Sequence, residues 1–183
     1  MSASTEAFLI QALFILGAIV VVGALIGLLV ARSHRKPLRP MMSVILCGAG
    51  LIIIAALLST LLFKRYDNFQ VKKDQYYEIT SLTNNMHASL ASSRTANQPV
   101  SPQAKKASKN VTYLIKNLKQ PKSSVKLAET AQHQLTRAKY PDVQLVRHNY
   151  RQILHHYFAQ LTDSASTQQR LTEHAYHKAV TYH

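Results

Sequence analysis

The sequence predicts an all-α protein: a two-helix transmembrane hairpin followed by an antiparallel helical bundle of four to five helices. Three observations carry that expectation. Two long runs near the N-terminus contain no charged side chain. All five glycines (17, 23, 27, 48 and 50) fall inside those runs. Beyond them, apolar residues recur at helical spacing between prolines.

The first run, residues 8–30, holds 23 uncharged positions, and the second, residues 43–63, holds 21. A spanning helix needs about 20 apolar residues to cross roughly 30 Å of hydrocarbon. A soluble protein of 183 residues has no core able to hide two such helices on every side. A cleaved signal peptide is a poor fit for the first run, because the leading tail carries Glu6 and no Lys or Arg. Cys47, the sole cysteine, reads as a small apolar helix residue and forms no intrachain disulfide. The chain therefore divides into residues 1–63, tail and hairpin, and a basic extramembrane helical domain at 64–183.

The connecting loop, residues 31–42, contains Arg32, Arg35, Lys36 and Arg39. Basic residues beside a membrane span resist translocation, so this loop is expected in the cytoplasm. The N-terminus and the C-terminal domain then lie outside. Lys64, Arg65, Lys72 and Lys73 flank the second span on its other side, so the first span alone supplies the bias.

Close packing of the hairpin is expected at Gly23, Gly27 and Gly48. Small residues let helix backbones approach in lipid, and Gly27 and Gly48 fall at similar depth if the two runs are aligned by their ends. The alternative is that Gly23 and Gly27 form a face between two chains.

From residue 51 onward there is no glycine, and Ala, Leu, Lys and Gln abound. Sheets lean on glycine for tight turns, so this composition reads as helix. Pro99, Pro102, Pro121 and Pro141 divide it. The first segment runs from Tyr66 to Leu90, with spacing that lets it continue the second membrane helix without a break. Ser92 to Gln103 reads as a loop. Ser101-Pro102 reads as a helix cap and first turn, Pro121 starts another helix, and Pro141-Asp142 a third. Residues 163–167 are either a break or a polar turn inside one long helix.

The domain from Lys64 onward has 18 Lys and Arg against 7 Asp and Glu, a balance of +11. Lys105, Lys106, Lys109, Lys116, Lys119, Lys122 and Lys126 form the densest cluster. Such a cluster points to a polyanion, an anionic lipid surface or a cell-wall polymer. Nucleic acid ranks last, because no recognised binding motif is present and the expected sidedness excludes it.

Eight of nine histidines lie in this domain. His148, His155, His156, His174 and His177 are candidates for a pH response, since imidazole titrates in mildly acidic water. His148, His155 and His177 fall opposite the apolar stripe, on a solvated face. No HExxH motif or partnering cysteine points to a metal. No Walker loop, GxSxG motif or close acidic pair points to catalysis, and no cofactor motif is present.

The expectation is a non-enzymatic membrane-anchored envelope protein. Its domain binds an envelope partner or polyanion, with another membrane protein or a second copy as further partners. The alternatives are an accessory subunit of a larger membrane complex, with the hairpin as interface, and a holin-like permeabilising protein.

Overall fold

A computed structural model describes residues 3–33, 39–91, 100–118 and 120–181. The fold class is the one the sequence predicts, with one small addition. The elements are α1 (Ala3–Ser33), α2 (Arg39–Leu62), β1 (Phe63–Tyr66), β2 (Phe69–Lys72), α3 (Lys73–Leu90), α4 (Pro102–Asn117), α5 (Lys122–Thr136), α6 (Val143–Ala159) and α7 (Ala165–Val180).

The chain forms two compact units, residues 1–73 and 74–183. The first holds α1, α2 and the strands, so it extends ten residues beyond the boundary read from hydropathy. Both long helices are apolar enough to cross a bilayer. Their outward faces carry large exposed side chains, Phe8, Ile19, Leu29, Leu46 and Leu61 among them. The facing seam repeats at alternating three- and four-residue steps. On α1 it holds Ile10, Leu13, Gly17, Val20, Ala24, Gly27 and Ala31, all buried or half-buried. On α2 it holds Met41, Ile45, Gly48, Ile52, Ala55 and Ser59. A 3.5-residue repeat is the signature of left-handed knobs-into-holes packing, here with small residues at the innermost positions. The hydroxyls of Ser43 and Thr60 in α2 are satisfied by the helix itself. Ser43 donates to the Arg39 carbonyl at 3.3 Å, and Thr60 to those of Ala56 and Leu57 at 3.1 and 3.0 Å.

Both helices extend beyond the apolar runs into the expected 31–42 loop. α1 continues to Ser33 and α2 starts at Arg39. Arg35 and Lys36 lie outside the described residues. Arg32 and Arg39 are exposed.

The expected continuous helix from the second span into the domain is not observed. α2 stops at Leu62, and Phe63, assigned to the span from hydropathy, opens β1. β1 pairs antiparallel with β2, Tyr66 opposite Phe69 and Lys64 opposite Val71. The two-residue turn is Asp67-Asn68, both at positive φ (44° and 60°). Two left-handed residues make the primed turn that matches strand twist, and Asp and Asn tolerate that conformation without glycine. Tyr66 and Val71 share the buried face, and Arg65 and Gln70 the exposed one. Lys72 bonds Glu6 at 2.8 Å, tying the end of β2 to the start of α1.

The second unit is a five-helix bundle. Ser101 caps α4 by accepting from the Ala104 amide at 3.1 Å, with Pro102 in the first turn. Of the expected loop, Pro102 and Gln103 are helical and Val100 and Ser101 are not, and residues 92–99 lie outside the described residues. Asp142 caps α6 through the Leu145 amide at 2.9 Å. Residues 143–180 are two helices, because Ser164 caps α7 after a break at Thr162 and Asp163. Cross-helix bonds set the packing. Thr112 of α4 donates to the Ala128 carbonyl of α5 at 3.3 Å. Asn149 of α6 donates to the Leu127 carbonyl of α5 at 3.3 Å. Tyr150 and Tyr157 of α6 reach Ser89 and Glu78 of α3 at 2.8 and 2.7 Å. Ile79, Leu82, Met86, Ile115, Leu135, Ile153, Leu154, Phe158 and Leu171 form the core between them.

Candidate functional site

α4 and α5 carry the lysine cluster because each is amphipathic. α4 buries Ala104, Ala107, Ser108, Val111, Thr112 and Ile115, and α5 buries Ser124, Ala128, Ala131 and Leu135. The remaining positions are exposed or half-buried. Lys105, Lys106, Lys109 and Lys116 of α4, and Lys122 and Lys126 of α5, are all exposed. On α4, at 100° per residue, Lys105, Lys106, Lys109, Tyr113 and Lys116 fall within an arc of about 100° and a length of about 16 Å. Tyr113, 67% exposed, lies among them. Lys119 lies outside the described residues.

Between Glu78 and Asp142 the sequence has one acid, Glu129. Lys116 takes it at 2.8 Å across the α4–α5 contact. Both partners are half exposed, so this pair adds at most about 1 kcal/mol. Lys105, Lys106, Lys109, Lys122 and Lys126 have no carboxylate within ion-pair distance among the described residues.

The five candidate histidines separate. His148 and His155 are exposed on α6 and line a cleft against α7. His177 is exposed on α7, and His174 is half-buried there. The solvated face expected of His148, His155 and His177 is therefore observed. His156 is different. It is half-buried, with Nδ1 2.9 Å from Ser124 Oγ of α5. Burial, and then the neighbouring His155, hold its pKa below the ordinary imidazole value. A serine–histidine pair at that distance is a nucleophile–base geometry. Here Ser124 is fully buried, and the pair bridges two helices. Among the described residues no three His, Cys, Asp or Glu side chains gather to hold a metal ion.

Two tyrosines of α6 face α3. Burial pushes the Tyr150 phenol up to about 12, opposed by its bond with Ser89. Burial, reinforced by the Glu78 carboxylate, also raises Tyr157. Both stay protonated at any physiological pH and act as hydrogen-bond donors or acceptors.

In the hairpin the expected trio is not one contact. Gly48 lies at the crossing, where a Cβ would stand 2.8 Å from Val21 Cγ2. Its counterpart is Gly17, absent from the expected set. Gly27 faces Met41, whose Sδ is 3.1 Å from a Cβ placed there. Around Gly23 such a Cβ meets nothing within 4 Å. The register therefore differs from the one in which Gly27 and Gly48 lie at similar depth. The heptad spacing of Gly17, Ala24 and Ala31 against Gly48 and Ala55 carries the signal. Cys47 is exposed on the outward face of α2.

No known protein family, curated protein or solved structure matches this chain.

Proposed function

We propose that this chain is a non-catalytic, membrane-anchored protein whose helical domain holds a phosphate-bearing polyanion close to the bilayer. The supporting observation is that Lys105, Lys106 and Lys109 of α4 and Lys122 and Lys126 of α5 are all exposed, none with a carboxylate within ion-pair distance among the described residues. Crowding like charges on adjacent helices is self-repulsive, and a polyanion relieves that repulsion while releasing counterions. Near an anionic surface each such lysine contributes about 1 kcal/mol.

Four basic residues in the 31–42 loop against none in the N-terminal tail orient the hairpin, with the loop in the cytoplasm and the domain outside. An extracytoplasmic domain meets anionic wall polymers and lipid headgroups rather than nucleic acid. Both α1 and α2 present apolar flanks to the bilayer, and neither span carries a charged residue between positions 8 and 30 or 43 and 63. Ion relays show themselves as ionisable groups inside the span, so the hairpin reads as an anchor.

The test uses the full chain in nanodiscs of zwitterionic lipid, titrated with long-chain inorganic polyphosphate. Binding is expected at low salt and should weaken steeply as salt rises. Replacing Lys105, Lys106 and Lys109 together by alanine should weaken it roughly 100-fold, the equivalent of about 3 kcal/mol. Nanodiscs containing anionic lipid separate the two sources. If headgroups are the partner, they will compete polyphosphate away. If a soluble polymer is the partner, binding persists. Equal affinity of the variant and the parent, or no binding in zwitterionic discs, overturns the reading. Sidedness is read separately, by labelling single cysteines introduced into the loop and at the C-terminus in a Cys47→Ser background.

A further inference from the structure

We propose that the cleft between α6 and α7 is a saccharide-binding site, distinct from the lysine face. The cleft encloses about 410 Å³. From α6 it is lined by His148, Arg151, Gln152 and His155. Their i, i+3, i+4 and i+7 spacing puts them on one stripe. From α7 it is lined by Ala165, Gln168, Gln169, Thr172 and Glu173.

The chemistry of that lining selects a ligand class. Ala165 is the one apolar residue, and every other side chain carries a hydrogen-bonding group. Part of that capacity is used within the protein, since Gln168 Nε2 donates to the Thr162 carbonyl at 2.6 Å and Thr172 to the Gln168 carbonyl at 2.7 Å. An aliphatic or aromatic ligand would cover the remaining donors and acceptors without satisfying them, a cost of about 1–3 kcal/mol each. The formal charges cancel at neutral pH. Arg151 donates to Glu173 Oε1 through Nε at 3.0 Å, and through one terminal nitrogen as well. The Tyr176 ring lies 6.0 Å from the same guanidinium. Arg151 is thus held in place and neutralised, so a free anion would have to displace Glu173 to use it.

What remains is a set of planar groups that donate and accept at once. Carboxamides and neutral imidazoles both do so, and hydroxyls are their matching partners. Gln152 and His148 already show the pairing, with Nε2 atoms 2.9 Å apart, the amide donating to the ring nitrogen. The methylene stems of Arg151, Gln168 and Gln169 give a sugar ring's C–H face something to rest on. A volume near the lower end of the usual ligand-site range suits one or two sugar rings.

The experiment is saturation-transfer NMR on the full chain in nanodiscs, chosen because glycoside detergents would themselves occupy the site. The probes are glucose, galactose, mannose and N-acetylglucosamine, each at roughly 10 mM, about ten times the ~1 mM dissociation constant expected of an open polar cleft. At least one should show transfer to its ring protons. Replacing Gln152 and Gln168 together by alanine should weaken that signal at least tenfold with the helical circular dichroism unchanged. The single change Gln169→Ala, at an exposed position, gives a smaller loss in the same direction and serves if the double variant loses helicity. No transfer from any sugar overturns the proposal, and so does transfer that survives the cleft substitutions. The Lys105→Ala/Lys106→Ala/Lys109→Ala protein must keep full sugar binding. If it loses both ligands, the cleft is not an independent site. If it loses only polyphosphate, the two readings stand or fall separately.

Discussion

Gly17 and Gly48 meet backbone to backbone: a Cβ placed on either would stand 3.1 Å from the other's carbonyl oxygen. In lipid there is no hydrophobic gain from bringing helices together, so close van der Waals contact at such points holds the hairpin. Gly48→Ala puts a methyl 2.8 Å from Val21 Cγ2 and against the Gly17 backbone, which cannot both yield. The expected cost is about 1–3 kcal/mol. Gly23→Ala meets open space and should change stability by no more than about 0.5 kcal/mol. Unfolding of the micelle-bound chain with SDS, followed by circular dichroism, separates the two. A Gly48→Ala midpoint equal to that of Gly23→Ala would show that the seam does not hold the hairpin.

The turn between β1 and β2 gives a second prediction. Asp67 and Asn68 occupy the left-handed region that costs an ordinary L-residue about 1–2 kcal/mol. Asn68→Gly should therefore stabilise the strand pair by up to about 1 kcal/mol, and Asn68→Val should destabilise it by a similar amount or more. The readout is backbone amide exchange at Lys64 and Val71, which face each other in the ladder. Slower exchange in the glycine variant and faster in the valine variant is the expected pair of results.

That turn also marks where the sequence was readable and where it was not. Ser101-Pro102 and Asp142 announce their helices through local chemistry, a side-chain acceptor placed for a free amide, and both cap as expected. The two long helices are legible because runs of 23 and 21 uncharged residues are long and apolar enough to cross a bilayer. The strand pair is hidden by the absence of glycine, the residue that ordinarily marks tight turns. Asp67-Asn68 between Tyr66 and Phe69 is itself a turn signal, carried by residues that tolerate positive φ. No small-residue motif within α1 marks Gly17, whose contact with Gly48 depends on how two helices register. The α6–α7 cleft could not be read at all, since the facing of Gln168 and Gln169 to His148 and Arg151 depends on the break at Thr162 and Asp163.

Tyr157 donates to Glu78 Oε2 at 2.7 Å while itself only 3% exposed. A hydrogen bond to a charged acceptor in such surroundings is worth about 1.5–3 kcal/mol, and Tyr157→Phe leaves the carboxylate without that donor. Tyr150→Phe, which removes a neutral contact with Ser89, should cost nearer 1 kcal/mol. Chemical denaturation of the full chain, tracked at a probe in the bundle, should rank the two in that order. The double variant Tyr157→Phe/Glu78→Gln should recover part of the loss, because the orphaned charge is gone. Failure to recover would mean that the cost of Tyr157→Phe lies in packing.

The lowered pKa of His156 predicts a response of the domain to acid. Burial and the adjacent His155 hold its folded pKa below the ordinary imidazole value, so the folded bundle prefers the neutral ring whose Nδ1 meets Ser124. In the unfolded chain the ring takes up its proton at about pH 6.5. Between that pH and the lower folded value, the unfolded state binds more protons than the folded one. The stabilisation is thus fully present above about pH 6.5 and is lost as pH falls toward the folded pKa. Thermal unfolding of the full chain should therefore shift to lower temperature on going from about pH 7.5 to about pH 5, in the direction linkage requires. His156→Gln removes the titrating ring while leaving a hydrogen-bonding group beside Ser124, so its stability should fall less over the same interval. A parent and a His156→Gln protein with identical pH dependence would place the acid response elsewhere in the bundle.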